Sequence, residues 1–365
     1  MTVTRIPANA LNRLIRLKNK LKLAIQKRMI RMVSLNSRSG SMPLQHFPTK
    51  VVHTEDCVSM PFKPLAHHLK QTRYTIAAGT SRILKGVYYA PNNMLLTRSR
   101  RIIAEASSTE REPNAFQWHH LFRLDKEHIE GCCTSIRSLR NNYYHSIVDN
   151  LPRLFLLHHD TYANQKIKLL FPGGPTPVES FFLDKLCPPN VTIIATDPSK
   201  LYSCDEFLFV DFISQRFAAY LPLQYLDFFH QKTLPKRPRC KNKKIIISRK
   251  KAVNARNILN EEELAEALLP LGYQSYILED MSLPEQIELF YDAQAVVSPH
   301  GAGLTNLLYA HEVDVIELHP NKGLFPHYYF MCESLQHRYQ YWCGTAEKRF
   351  SPFQVNVSEI LKLLA

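Results

Sequence analysis

Residues 244–318 alternate short apolar runs with segments of helical period, and this alternation constrains the fold more than any other feature. The apolar runs predict strands at 244–248, 273–278, 295–297 and 313–318. The intervening segments predict helices at 261–269, at 282–291 and from about residue 305. Asn260 and the acidic residues after it suit a helix start, and Gly272 suits a helix end. This strand–helix order predicts a parallel sheet, which is half of a doubly wound α/β fold.

The first half of the chain carries a weaker form of the same pattern. Residues 85–89 and 93–97 flank Ala-Pro-Asn and predict a hairpin. Further apolar runs predict strands at 167–171, 191–194 and 206–210, with a helix at 177–186. Residues 142–156 suit a helical stretch broken near Pro152. We therefore predict a second α/β unit with a parallel sheet.

The length of 365 residues is too great for one ordinary core and predicts two domains. A basic, proline-interrupted segment at 232–244 suits the boundary between them. The predicted division has four parts: an N-terminal arm and linker (1–50), an N-terminal α/β domain (51–235), a C-terminal Rossmann-like domain (236–345) and a tail helix (346–365).

The net charge of +14 indicates an anionic partner, and much of it lies in a basic amphipathic segment at residues 11–32. Such a segment can lie on an anionic membrane surface, dock on its own domain or remain a solvated arm. No apolar run is long enough to span a bilayer, and we expect no secretory leader. The eight cysteines form no CxxC unit and are typical of reduced thiols. These features predict a cytoplasmic protein, with peripheral contact at the inner face of the membrane as an option.

The loop SPHGAGLTN at 298–306 follows a predicted strand and precedes a predicted helix. Glycine allows close approach of a ligand or a positive φ angle, and the amides at a helix start attract phosphate. The loop is neither a Walker loop nor a GxGxxG loop, and an ordinary glycine turn is the alternative. The residues expected to contact a phosphate-bearing ligand are His300, Gly301, Ala302, Gly303, Thr305 and Asn306.

Three charged residues elsewhere in the second half complete this candidate site. Glu317 ends the strand after the loop, where a carboxylate can accept the hydroxyls of a ribose. Arg249 and Arg256 suit bidentate recognition of phosphate. The alternatives are an exposed glutamate at a strand end and arginines in surface salt bridges.

In the first half, His145 and Asp149 are four residues apart and share one face if the segment is helical. Such a pair can exchange a proton with a ligand. A capping aspartate and a buried core histidine are the alternative. We expect no bound metal, since His158 and His159 are adjacent and diverge on a helix.

Three blocks of the sequence, spread over residues 142–318, together resemble glycosyltransferase family 61. They are NYYH at 142–145 with Asp149 and LPR at 151–153; ISR at 247–249 with Arg256 and NE at 260–261; and Gln286 through the 298–306 loop to EL at 317–318. The resemblance implies the GT-B fold, in which two Rossmann-like domains face a central cleft, and inverting transfer without metal or cofactor. It also implies nucleotide contacts by Arg249, the loop and Glu317, with His145 and Asp149 facing the cleft. Eukaryotic relatives carry membrane anchors, so this chain is similar to bacterial-type members.

The function expected from these features is transfer of a sugar from a nucleotide-sugar donor to a glycan or lipid-linked glycan, in surface polysaccharide synthesis. Asp149 or His145 would deprotonate the acceptor. The first alternative is a non-catalytic nucleotide- or glycan-binding protein that retains the fold. A nucleic-acid partner is not expected, because the basic residues cluster in the arm and linker rather than in an RNA-binding motif.

Overall fold

A computed structural model describes most of the chain from residue 79 onwards. The described ranges are 79–98 without Asn92, 102–103, 125–138, 142–213, 219–252, 256–321, 324–348 and 350–365, together with four short strands before residue 77. Residues 11–31, in which the basic amphipathic helix was predicted, lie outside them. Within these ranges no helix has the length and apolar character needed to cross a bilayer.

The second half forms a five-stranded sheet in which every pairing is parallel. In chain order its strands are Lys243–Ser248, Tyr273–Ile277, Ala293–Pro299, Asp314–His319 and Arg338–Cys343. Numbered in that order, they lie across the sheet as 2-1-3-4-5. The first and third strands are neighbours, and the chain reverses its winding direction between them. This is the arrangement of a doubly wound sheet with one switch point.

Helices cover both faces of this sheet because its strands are apolar on both sides. The α-helices are Glu261–Leu268, Leu283–Tyr291, His327–Leu335 and Val357–Leu364, and 3₁₀ segments occur at Leu269–Leu271, Leu278–Asp280 and Ala302–Tyr309. Ser282 and Glu285 form a reciprocal capping box at the start of the second helix. Gly272, at φ 85°, ends the first helical segment in the left-handed conformation.

The first half forms a ten-stranded sheet that is mixed rather than wholly parallel. Four neighbouring strands pair in parallel: Lys200–Val210, Asp125–Thr134, Ile167–Pro172 and Val191–Thr196. Lys200–Val210 also pairs antiparallel with Thr80–Leu84 and with Val87–Tyr89, the first strand of a hairpin whose second strand is Leu95–Thr97. The other members are Met32–Val33, Leu44–Gln45 and Ile102–Ile103, and a separate pair joins Lys50–His53 to Arg73–Ile76.

The helical segments of the first half pack on this sheet and extend towards the second half. They are a π-helix at His145–Asn150, α-helices at Pro152–Phe155, Pro177–Leu186 and Leu223–Thr233, and 3₁₀ turns at Leu156–His158 and Asp160–Tyr162. The ring of Phe229 stacks on Phe182 at 5.8 Å and on Tyr309 at 6.0 Å. One cluster of buried apolar residues therefore runs through both halves.

The tail packs on the outer face of the C-terminal sheet. Ile360 and Phe353 are buried beside Leu264 and Val297. The backbone of Phe353 pairs with Ile258 in an isolated bridge. The tail thus completes the second hydrophobic layer of this half.

The structure corrects several details of the sequence predictions. The N-terminal sheet is mixed rather than parallel throughout, because Thr80–Leu84 and Val87–Tyr89 pair antiparallel with Lys200–Val210. The predicted linker contributes short strands at Met32–Val33 and Leu44–Gln45. The side chain of Asn260 binds the backbone of Val355 and does not cap the helix that follows. The helix of the glycine loop begins at Ala302, not near residue 305.

Candidate functional site

The candidate site lies where the chain reverses its winding direction in the C-terminal sheet. Lys243–Ser248 and Ala293–Pro299 are adjacent parallel strands, so their carboxyl ends open at the same edge. Arg249 follows the first strand and His300 follows the second. Open α/β sheets bind ligands in the crevice at such a point. The topology therefore brings Arg249 and the glycine loop, residues 298–306, together.

Close packing, rather than unusual backbone angles, explains the two glycines of the loop. A Cβ atom on Gly301 would lie 2.0 Å from Nη1 of Arg249, and one on Gly303 would lie 2.9 Å from Cδ1 of Leu278. Neither glycine lies in the left-handed region of φ. Gly301 is extended, at φ 175°. The sequence-based suggestion of left-handed backbone was wrong here. Gly301 leaves the space that the guanidinium of Arg249 occupies.

Arg249 and Arg256 place two positive charges at this crevice, and each is only 9% exposed. Burial and, to a smaller extent, the nearby charge of Arg249 lower the pKa of Arg256 to about 10. Burial likewise lowers the pKa of Arg249. The Nε atom of Arg256 is buried without a hydrogen-bond partner among the described residues. Two neighbouring guanidiniums in a crevice form a site for an anion.

A buried network holds the imidazole of His300. Its Nδ1 atom is hydrogen-bonded to Oε1 of Glu317, and the other oxygen of Glu317 accepts a 2.6 Å hydrogen bond from the hydroxyl of Tyr339. His319 approaches the same carboxylate at 3.6 Å. This arrangement fixes the ring of His300 and directs its other nitrogen, Nε2, away from Glu317.

The protonation states within this network follow from burial and charge. Burial lowers the pKa of His300 to about 3, so its ring is neutral at physiological pH. Burial raises the pKa of Glu317, but His319 and His300 outweigh that effect and hold the pKa below its usual range. A neutral His300 therefore donates its Nδ1 hydrogen to an ionised Glu317. Glu317 is fully buried, so the described geometry gives it the role of holding His300, and the ribose contact stays a prediction.

His300, Glu317 and His319 could also be considered as metal ligands, because one ligand atom of each lies within 4.8 Å of the others. The two imidazole rings stack with their planes 26° apart, whereas shared metal ligation requires both ring planes to pass through the ion. The charges of Arg249 and Arg256 nearby oppose a cation. The group fits a hydrogen-bonded network that orients His300 better than it fits a metal site.

The π-helix His145–Asn150 carries the predicted acid–base pair. Nδ1 of His145 lies 2.6 Å from Oδ2 of Asp149, and both side chains are buried. Oδ1 of Asn142 accepts the backbone N–H of His145 at 3.0 Å and fixes the start of the helix. In such a pair the carboxylate holds the Nδ1 hydrogen, so Nε2 can act as the proton acceptor.

Aromatic rings connect this pair to the glycine loop. The ring of Tyr144 meets the rings of His145 and His327 edge-on, each at 5.2 Å. The ring of His327 lies 5.9 Å from that of His300. Two rings thus separate the acid–base pair of the first half from the loop of the second half.

A hydrogen-bond network joins the same two elements alongside the rings. The hydroxyl of Tyr143 donates to Oδ1 of Asn306, and Nδ2 of Asn306 donates to Oε1 of Gln286 at 2.8 Å. Gln286 in turn donates to the carbonyls of Leu278 and Met281. Asn306 is fully buried, as is Thr305, whose hydroxyl lies 3.5 Å from that of Tyr328. These two predicted ligand contacts instead join protein segments in the described geometry.

The structure also places residues at the site that sequence reasoning did not single out. His319 lies two residues after Glu317 on the same strand, so the two-residue period of a strand could have found it. Phe325, His327 and Tyr328 come from a segment without a periodic signal. Arg153, part of the motif at 151–153, is buried and donates to the carbonyls of Val210 and Ile136, which is a structural role.

Comparison with known proteins agrees with the resemblance found in the sequence. Residues 143–316 match the family model described as Glycosyltransferase 61. The matched segment begins at Tyr143, beside the acid–base pair, and ends one residue before Glu317. No curated protein matches the chain.

Proposed function

We propose that this chain, a member of glycosyltransferase family 61, transfers a sugar from a nucleotide-sugar donor to a glycan or lipid-linked glycan acceptor with inversion. The observation that carries the proposal is a buried His–Asp pair that only two aromatic rings separate from the loop beside two buried arginines. The pair can accept a proton and the arginines can hold a diphosphate, which are the two requirements of direct sugar transfer. The two halves would act as the two domains of a GT-B enzyme.

The donor diphosphate would lie against Arg249, Arg256 and the amides of residues 301–303. The two guanidiniums would neutralise the charge that grows on the leaving diphosphate, and they are already in place before the reaction. His300 is neutral, so only one of its ring nitrogens carries a hydrogen. Its Nε2 could therefore donate a hydrogen bond only if Nδ1 were the acceptor. Since Nδ1 donates to Glu317, Nε2 of His300 would accept a hydrogen bond from a hydroxyl group of the nucleotide sugar.

His145 would serve as the general base, with Asp149 as the group that orients it. The acceptor hydroxyl would give its proton to Nε2 of His145 while its oxygen attacks the anomeric carbon from the face opposite the diphosphate. The bond from that carbon to the diphosphate oxygen breaks, and the diphosphate leaves with the electron pair. A single displacement of this kind inverts the anomeric centre.

A binding screen tests the donor site. The Tm of the full chain would be measured with each of a panel of nucleoside diphosphates and nucleotide sugars, for the wild type and for the Arg256→Ala and His300→Ala variants. A ligand at 100 times its Kd should stabilise the native state by about 2.7 kcal/mol. We expect one nucleotide to raise Tm and both variants to lose the effect. No shift with any nucleotide in a folded sample would overturn the donor site.

Turnover of the nucleotide sugar identified in that screen tests the acid–base pair. We expect His145→Gln to lower kcat for release of nucleoside diphosphate by about 100-fold, with binding retained. His128→Gln is the matched control, because His128 and Asp205 form an exposed His–Asp pair at 3.2 Å far from the crevice. Equal activity in both variants would remove His145 from the mechanism. Binding without turnover in the wild type would indicate a non-catalytic nucleotide-binding protein.

The biological setting is a further part of the proposal. A role in surface polysaccharide synthesis at the cytoplasmic face of a membrane would suit the basic segment at residues 11–32. Deletion of residues 1–33 should then abolish cosedimentation with vesicles that contain anionic lipid. Unchanged cosedimentation would remove the membrane surface from the proposal.

A further inference from the structure

A column of aromatic rings runs from the buried network to the protein surface. The rings of His319 and His300 stack at 5.4 Å, those of His300 and Phe325 at 5.3 Å, and the planes differ by 26° and 24°. The ring of Phe350 continues the column at 6.0 Å from Phe325, with its plane tilted by 41°. The column is buried at the two histidines and opens to solvent at Phe350, which is 59% exposed.

Phe350 differs from the other exposed apolar side chains. Of the large apolar side chains that are exposed within the described ranges, only that of Phe350 is aromatic. A scattered exposed leucine requires no explanation, but an aromatic ring at the end of a column is part of a larger surface. The guanidinium carbon of Arg256 also lies 5.2 Å from the centre of this ring. Phe350 therefore stands at the mouth of the crevice that we assign to the diphosphate.

The position of Phe350 relative to the acid–base pair gives the bound donor a direction. Tyr144 and His327 connect His300 to His145, whereas Phe325 connects His300 to Phe350. In a nucleotide sugar, the diphosphate lies between the sugar and the nucleoside. If the sugar faces His145 for transfer, the nucleoside leaves the crevice on another side. The ring connections direct it along Phe325 towards Phe350.

We infer that Phe350 is the stacking platform for the nucleobase of the donor. The inference rests on the proposed donor site and adds the residue that contacts the base. A nucleobase has a flat π-face, which an exposed phenyl ring can cover whatever its hydrogen-bonding edge. Arg256 beside the ring would contact both the base and the diphosphate. The platform would give affinity for nucleosides in general, and the choice of base would depend on other contacts.

The test compares ligands with and without a base on the full chain. Binding of the nucleoside diphosphate identified in the screen and of inorganic pyrophosphate would be measured by titration calorimetry. We expect Phe350→Ala to raise the Kd of the nucleoside diphosphate at least tenfold, or about 1.4 kcal/mol, and to change that of pyrophosphate less than twofold. Phe350→Trp should restore the affinity. Leu269→Ala is the control, since Leu269 is 63% exposed beside the amino end of a strand.

The possible outcomes distinguish failure of the stacking platform from failure of the proposed donor site. If the wild type binds neither ligand, the donor site itself is overturned. If it binds both and Phe350→Ala leaves both constants unchanged, the donor site stands and the platform is overturned. If Phe350→Ala weakens binding of the nucleotide sugar but not of the nucleoside diphosphate, the ring contacts a sugar and the nucleobase assignment is wrong.

Discussion

At the scale of single residues, the crevice requires glycine at a position where a neighbouring side chain occupies the space that a Cβ atom would need. Gly301 and Arg249 are the clearest case, because the guanidinium fills the position of a Cβ atom. The sequence identified the loop and both arginines but not this relation. Spacing along a chain shows which residues can reach a ligand, whereas close contact between two loops depends on how the strands are ordered in space.

We predict that Gly301→Ala weakens nucleotide binding with little loss of stability. The new methyl group displaces only the end of the Arg249 side chain, which can rotate away, so Tm should change little. The loss of one charge-assisted contact to phosphate should raise Kd by about tenfold or more. Gly303→Ala is the contrasting variant, because its methyl group meets Leu278 and Ile247 in the core and should cost about 1 kcal/mol of stability. A large drop in Tm for Gly301→Ala would contradict the explanation.

A second residue-scale prediction concerns a buried ion pair away from the site. Arg137 binds both carboxylate oxygens of Glu179, at 2.8 and 2.6 Å, and both side chains are buried. Glu179→Gln leaves the buried guanidinium without its counter-charge and should cost about 3 kcal/mol. Glu127→Gln is the matched control, because Glu127 pairs with Lys200 in solvent and should cost less than about 1 kcal/mol.

The same ion pair gives a dependence on pH. Burial raises the pKa of Glu179, but the hydrogen bonds from Arg137 and Thr176 and the charge of Arg137 together outweigh it, and the net pKa is lowered. A carboxyl group with a lowered folded pKa stabilises the protein above its unfolded pKa and loses that effect as the pH falls. The difference in unfolding free energy between wild type and Glu179→Gln should therefore be constant near neutrality and shrink below about pH 4.5. Urea unfolding at pH values from neutrality to below 4.5 measures this difference in free energy. A difference that grows as the pH falls would contradict the prediction.

At the scale of elements, the sequence predicted best the segments whose ends carry capping chemistry. The helix Pro177–Leu186 was predicted with its observed bounds, and the helix Val357–Leu364 lies within the tail predicted at 346–365. The helix His327–Leu335 was missed because it is buried on nearly all sides and has no polar face. The strand Asp125–Thr134 was missed because it begins with four exposed polar residues. The strand Arg338–Cys343 does begin with alternating burial and could have been found.

The contact between the π-helix and the glycine loop yields a prediction at this scale. Tyr143→Phe removes the hydroxyl that binds Asn306 and leaves a buried acceptor unpaired, so it should cost about 1–3 kcal/mol. It should also lower kcat more than it raises the Kd of the nucleotide, because it loosens His145 relative to the loop. Tyr225→Phe is the matched control, since the hydroxyl of Tyr225 is buried without a hydrogen-bond partner in the part of the chain that the structure describes. Its removal should be neutral or stabilising, and equal losses in both variants would count against the bridging role.

At the scale of the whole molecule, two sheets share one continuous apolar cluster. The α/β class predicted from the sequence is confirmed, whereas the division near residue 235 stays a prediction, and the sequence could not show how the halves pack. Helix Leu223–Thr233, just before that division, contacts both halves through Phe229. Apolar periodicity marks which side of a helix is buried and not which neighbour buries it.

We predict that the full chain unfolds in one cooperative transition. Two domains with separate cores would melt independently, whereas a shared cluster couples them. Scanning calorimetry should give a van't Hoff enthalpy equal to the calorimetric enthalpy for a single peak. Phe229→Ala should lower the stability of the whole chain by about 3–5 kcal/mol. Two peaks, of which Phe229→Ala shifts only one, would indicate independent domains.

The paired arginines of the crevice have a consequence for the pace of the catalytic cycle. The charge of Arg249 lowers the pKa of Arg256, and a bound polyanion would relieve the repulsion between the two guanidiniums. In the proposed reaction, the nucleoside diphosphate left after transfer carries more negative charge than the donor, so these residues should retain the product more tightly than the substrate. Product release would then limit turnover, as it does in many enzymes. A pre-steady-state burst equal to the enzyme concentration would support this expectation, and a linear start would argue that the chemical step is slower.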